Sequence, residues 1–284
     1  MQEPIGAPAA AAVMARAETE NFPVASRLIP GRERAHLLAI YGFARLVDEL
    51  GDSFAGDRLA ALDWLEAELD LAFRGEASHP ILRALEPTLR ECGLAREPFA
   101  RLVEANRLDQ RVARYATWEQ LRAYCALSAD PVGELVLGVF GLATPARIAL
   151  SDSICTALQL TEHCQDVVED LAAGRVYLPL EDLARFGASI AEIEHAPAGA
   201  PLRAVIAFEV ARARSLLAQG MPLIGSMRGR ARLGVAAFSA GGRAALDAIE
   251  RADHDVLGGA PPVSATRRAG ALARTLLDAR GTGT

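Results

Sequence analysis

Tyr41, Arg45, Asp48 and Asp52 are separated by steps of four, three and four residues. In a helix that spacing puts all four side chains on one face. They lie in the run Ile40-Tyr-Gly-Phe-Ala-Arg-Leu-Val-Asp-Glu-Leu-Gly-Asp52. Two carboxylates one turn apart repel each other and resist losing their water, so apolar neighbours give no structural reason to pair them there. A divalent cation supplies one. Magnesium takes hard oxygen ligands and keeps several waters, which leaves room for diphosphate oxygens. Arg45, one turn before Asp48, offers a fork of donors suited to the same anion.

A second set, Gln159, Glu162, His163, Gln165, Asp166 and Asp170, lies in Leu158-Gln-Leu-Thr-Glu-His-Cys-Gln-Asp-Val-Val-Glu-Asp170. All but Gln165 share one helix face, and Leu160, Cys164, Val168 and Leu171 lie opposite. So dense a polar stripe in an apolar helix is either a solvated face or the lining of a cavity. Either aspartate pair alone is as consistent with a wet helix surface, because Asp-x-x-x-Asp arises about once by chance in such a chain. Two pairs, each with further polar groups aligned, carry more weight. The expectation is that Asp48, Asp52, Asp166 and Asp170 converge on an apolar interior and share bound magnesium. Arg175 and Tyr177 follow the second pair, either as a helix cap and a packed ring or as an anion donor and a pocket wall. His163 is the only one of five histidines on a candidate face, where a lone imidazole is more often a hydrogen-bonding neighbour than a ligand. Neither a Gly-x-Ser-x-Gly elbow nor a phosphate-cradling glycine loop occurs.

The elements that must carry these residues read as helices almost throughout. Arg32–Leu50 repeats Leu37, Ile40, Tyr41, Ala44 and Val47 at helical steps, and Arg58–Phe73 carries a stripe of Leu59, Leu62, Leu65 and Leu69. Ile81–Cys92, Pro98–Val112 and Trp118–Ala126 follow, and Pro145 opens a long helix expected to run to Ala173 and stop at Gly174. Breaks are expected at 51–56, 75–79, 130–133, 174–179, 195–201 and 258–262. Asp130-Pro-Val-Gly133 is expected to interrupt a helix, either as a simple kink or as a kink that opens room for a long ligand. The fold class is all-α, a single-domain bundle over residues 18–280 behind a flexible segment, 1–17.

Composition narrows the function classes. The chain has 284 residues, 51% hydrophobic and 23% charged, enough to bury a sizeable core. Its net charge of −6 argues against a nucleic-acid partner, although all 30 basic residues are arginine. Cys92, Cys125, Cys155 and Cys164 stand far apart, so neither a zinc site nor a disulfide framework is suggested and a cytoplasmic location is expected. Ala7–Met14 is too short and lacks the preceding positive charge of a signal peptide, and no uncharged apolar run reaches the length of a membrane span.

Taken with the Gly174-Arg-Val-Tyr-Leu-Pro179 tail, the two aspartate runs resemble the two signatures of the squalene and phytoene synthases. The resemblance covers about residues 20–279 and implies an isoprenoid-synthase-type bundle with a central apolar cavity. It implies magnesium as cofactor and a prenyl diphosphate as substrate. Asp48, Asp52, Asp166 and Asp170 become the metal ligands and catalytic residues; Asn21, Tyr41, Arg45, Gln159, Glu162, Gln165, Arg175 and Tyr177 bind substrate. Glu20-Asn-Phe-Pro-Val-Ala-Ser26 and Tyr124-Cys-x-x-Ser-Ala-Asp-Pro-Val-Gly133 are most similar to the bacterial, hopanoid-linked branch, which takes up presqualene diphosphate rather than making it. Four departures from the family pattern fit a reaction with one diphosphate. Glu162 stands where asparagine is usual, Gln165 replaces arginine, Asn21 replaces a diphosphate-binding serine, and Ala126 replaces a tyrosine assigned to proton handling. The resemblance also carries an expectation of peripheral contact with the inner membrane and of coupling to other squalene-pathway enzymes. The rival readings are a complete head-to-head prenyl transferase and a catalytically silent helical scaffold.

Overall fold

The computed structural model describes residues 8, 10–15 and 31–281. In chain order its helices are α1 (Ala10–Ala15), α2 (Gly31–Asp48), α3 (Arg58–Arg74), α4 (Pro80–Cys92), α5 (Glu97–Asp109), α6 (Trp118–Ser128) and α7 (Asp130–Val139). They continue as α8 (Pro145–Gln165), α9 (Val167–Ala172), α10 (Leu180–Phe186), α11 (Ala200–Ser226), α12 (Gly229–Arg251) and α13 (Ala265–Gly281). A π-helical turn, Glu49–Ser53, follows α2, and a 3-10 turn, Ile190–Glu194, follows α10. Among the described residues the only β pairing is an isolated parallel bridge between Arg114 and Val176. The all-α expectation holds.

By their internal contacts, the residues form two compact units: Met1–Arg111 with Leu127–Ile148, and Val112–Ala126 with Ala149–Thr284. In the first, the apolar stripes close on one core. α2 contributes Ile40, Phe43, Leu46 and Val47; α3 contributes Leu62, Trp64, Leu65 and Leu69; α4 and α5 add Leu82, Leu85 and Phe99. Phe99 meets the rings of Phe43 and Phe73 edge-on, at 5.2 and 6.2 Å between centroids, the geometry that opposes ring edge to ring face. Leu59, expected in the stripe of α3, is instead 36% exposed, because the stripe begins one turn later. Ala10–Ala15, within the stretch expected to fray, forms α1 and buries Val13 in this core.

In the second unit α11 packs against α10, α12 and α13. Leu160 and Cys164, on the apolar side expected of α8, are buried, and Gly220 of α11 lies close enough that a β-carbon would meet the Leu150 carbonyl at 2.8 Å. Three helix boundaries differ from expectation. The winding of α2 widens at its end instead of stopping, so Asp48 closes the α-helix and Asp52 falls in the π-turn. The expected 145–173 helix is kinked at Asp166, whose φ and ψ are −101° and 19°. Bonds from Asp166 N–H to the Glu162 carbonyl (2.9 Å) and from Asp170 N–H to the Asp166 carbonyl (2.7 Å) carry it across the kink. The break expected at 130–133 falls at Ala129, and Pro131 sits in the first turn of α7, where a missing N–H removes no helical bond. No disulfide joins the four cysteines, and no described helix is long and apolar enough to cross a membrane.

Candidate active site

The first acidic pair is assembled from one helix end. Arg45 Nη1 lies 3.7 Å from Asp48 Oδ2, and Nη2 donates to Glu49 Oε1 at 3.2 Å. Glu49 is the better buried of the two partners, its side chain 13% exposed against 47% for Asp48. Sequence reasoning passed over Glu49, although its position four residues after Arg45 makes the two neighbours on an ordinary helix face. Tyr41 is half-buried and Asp52 is exposed. The turn between the two aspartates packs on α5: Gln110 Nε2 donates to the Gly51 carbonyl at 3.0 Å.

The second pair straddles the kink between α8 and α9. His163, buried beside it, has Nδ1 3.9 Å from Asp170 Oδ2, while its Nε2 lies 3.3 Å from Gln159 Nε2. Asp166 and Glu162 are exposed, and Gln165 is half-buried. Desolvation by its surroundings, then the charges of Asp170 and Glu169, push the Asp166 carboxyl above its ordinary range, against a smaller pull from His163. Asn21, the remaining sequence-predicted site residue, lies outside the described residues.

A backbone strap places Tyr177 over this face. Past the end of α9, Gly174 has a φ of +82°, and the Gly174 and Arg175 N–H groups donate to the carbonyls of Leu171 and Asp170, both at 2.8 Å. That paired closure needs a left-handed residue, which glycine adopts without strain. The chain then zips along residues 113–116. Val176 N–H donates to Ala113, Leu180 N–H to Tyr115 and Glu181 N–H to Ala116, at 2.8, 2.9 and 3.0 Å. Tyr177, 6% exposed, stacks on His163 with ring centroids 4.0 Å apart and planes 13° from parallel. Tyr124 and Tyr115 extend the stack at 5.3 and 5.9 Å from Tyr177. Arg175 is half-buried at the edge of this wall. The helical period could not reveal the stack, since its rings come from four separate stretches of chain.

Among the described residues, no three His, Cys, Asp or Glu side chains gather into a group that could hold a metal ion unaided. The donor chemistry nevertheless fits magnesium. Each pair offers hard oxygen ligands, and magnesium completes its octahedron with waters and substrate phosphates rather than an all-protein cage.

The fold is that of the squalene-synthase-type isoprenoid synthases. The crystal structure of squalene synthase HpnC from Alicyclobacillus acidocaldarius matches at a TM-score of 0.80 with 48% identity, covering 85% of this chain and 92% of that one. A dehydrosqualene synthase solved with a ligand matches at 0.85 over 96% of both chains, but at 24% identity it speaks for the fold alone. The chain belongs to the squalene/phytoene synthase family, whose sequence model matches residues 15–268. Among curated relatives, the hydroxysqualene synthase of Rhodopseudomonas palustris is 37% identical over 213 residues, 74% of this chain and 72% of that protein. The phytoene synthase of Arthrospira platensis is 32% identical over 256 residues, 84% of this chain and 82% of that protein.

Proposed function

We propose that the protein is a hydroxysqualene synthase that converts presqualene diphosphate and water to hydroxysqualene and diphosphate, serving squalene and hopanoid synthesis. The observation that carries this reading is its 37% identity to relatives of that name in Rhodopseudomonas palustris and Sinorhizobium fredii. The replacements at Glu162 and Gln165 support it. They make the second acidic region more negative by two charges than the family pattern quoted above, which disfavours a second diphosphate.

In this reading Asp48, Asp52, Asp166 and Asp170 hold magnesium, and Arg45 and Arg175 donate to the diphosphate oxygens. Bound magnesium supplies Lewis-acid stabilisation of the charge that gathers on the leaving group. The carbon–oxygen bond breaks with its electron pair departing on diphosphate, and the carbocation rearranges. Water then forms the new carbon–oxygen bond and releases a proton. The Tyr177–His163 stack, with Tyr124 and Tyr115, forms a buried aromatic wall beside Asp170. Tyr41, Gln159, Glu162, Gln165 and Asn21 complete the substrate contacts of the reading.

Asp48→Ala and Asp166→Ala are each expected to lower diphosphate release from presqualene diphosphate by at least about a hundredfold, the scale of losing one transition-state charge stabiliser, with helical circular dichroism intact. Turnover at the wild-type rate in either variant ends the metal reading. A second reading, a prenyl transferase that makes presqualene diphosphate, squalene or phytoene, is favoured by the phytoene synthase relative that aligns over 84% of the chain. Accumulation of presqualene diphosphate from farnesyl diphosphate alone would select it.

A further inference from the structure

The π-turn that carries Asp52 is held from outside its own helix, by the amides of Asn106 in α5 and of Gln110 just past its end. Gln110 Nε2 donates to the carbonyl of Gly51 and to that of Asn106, both at 3.0 Å, so one side chain ties the turn to the neighbouring helix. The Gly51 carbonyl belongs to the last turn of its helix, where carbonyls lack helical N–H partners and need another donor. Beside it, Asn106 fills the space a side chain at position 51 would need: a β-carbon there would lie 2.0 Å from Asn106 Oδ1. Asn106 is itself buried at 9% exposure, and its Nδ2 donates to the Leu102 carbonyl at 3.4 Å, so it has little room to swing away. Both contacts fall in the interval between Asp48 and Asp52. π-turns are rare, and this one alters the angle and rise between two carboxylates that an α-helix would set differently.

We propose that Gln110 and Asn106 are positioning residues: by clamping Gly51 they hold the Asp48–Asp52 interval in its π setting and so set the affinity of that pair for a divalent cation. The proposal rests on the reading of the pair as metal ligands.

The test uses the full chain and a readout independent of turnover: manganese binding followed by electron paramagnetic resonance, with inorganic diphosphate present. Gln110→Met keeps side-chain volume and removes the donor, so folding is preserved. It is expected to weaken manganese binding about tenfold, equivalent to about 1.4 kcal/mol, and to speed hydrogen exchange of the amides at 49–53. Gly51→Ala is expected to weaken binding likewise, and adding Asn106→Gly should recover part of that loss by clearing the space, a coupling that two independent lesions would not show. Asp48→Ala is the control. If it loses manganese while Gln110→Met and Gly51→Ala bind as wild type, the clamp is overturned and the metal reading stands. If Asp48→Ala itself binds manganese as wild type, the metal reading fails and the proposal falls with it.

Discussion

At the scale of single residues, buried charge is shared unevenly. In the second unit, one guanidinium, that of Arg212, faces two buried carboxylates, Asp182 at 2.9 Å and Glu209. Arg212 also lies over the rings of Trp118 and Phe208, 4.6 and 4.7 Å from their centroids. One positive charge cannot neutralise two negative ones out of water, so a proton completes the balance. Burial pushes the Glu209 carboxyl from 4.5 to about 8, against the pull of Arg212 and with help from Asp182. The folded chain then keeps a proton that the unfolded chain has released between those pH values. The stability it contributes is full below about 4.5 and is lost as pH rises to about 8. Glu209→Gln, which mimics the protonated form, should flatten the fall of melting temperature between pH 5 and 8.5 and raise stability at the alkaline end. An unchanged pH profile would show that Glu209 is ionised throughout. The sequence displayed Arg45 with Asp48 because helical spacing is local, whereas Asp182 and Glu209 are 27 positions apart and gave no such signal.

Among elements, the helices themselves were legible, since apolar residues recur every three or four positions along α2, α3, α4 and α8. Their irregularities were not. The π-turn depends on Asn106 and Gln110, more than fifty residues downstream, and the kink at Asp166 leaves the helical bonds on either side intact. The turn at Gly174 was readable as a helix stop, but its partner, the 113–116 segment, was not. Replacing Gly174 by valine should cost about 1–2 kcal/mol from the left-handed backbone alone. Because the same turn launches the strap bearing Tyr177, product formation should fall further than the loss of folded protein accounts for. Thermal denaturation and single-turnover product yield on one sample separate the two effects. Equal losses would mean that the strap needs no help from the turn.

For the whole molecule, family membership was legible because its signatures are short and continuous in sequence, whereas the reaction was not, because relatives named for different products align over most of the chain. Presqualene diphosphate should be consumed at the same rate with and without NADPH and yield an alcohol, as mass spectrometry of the extracted product would show. A hydrocarbon formed only with NADPH would transfer the protein to the squalene-forming members. The interleaved chain path has one more consequence, for the order of synthesis. Neither compact unit is a continuous stretch: residues 112–126 belong to the second unit but leave the ribosome before the first is completed at 148. Tyr115 and Tyr124 are therefore made early and must wait, still without Tyr177 to stack on, while some fifty further residues emerge. No gene truncated at one point could encode either unit alone, without residues of the other.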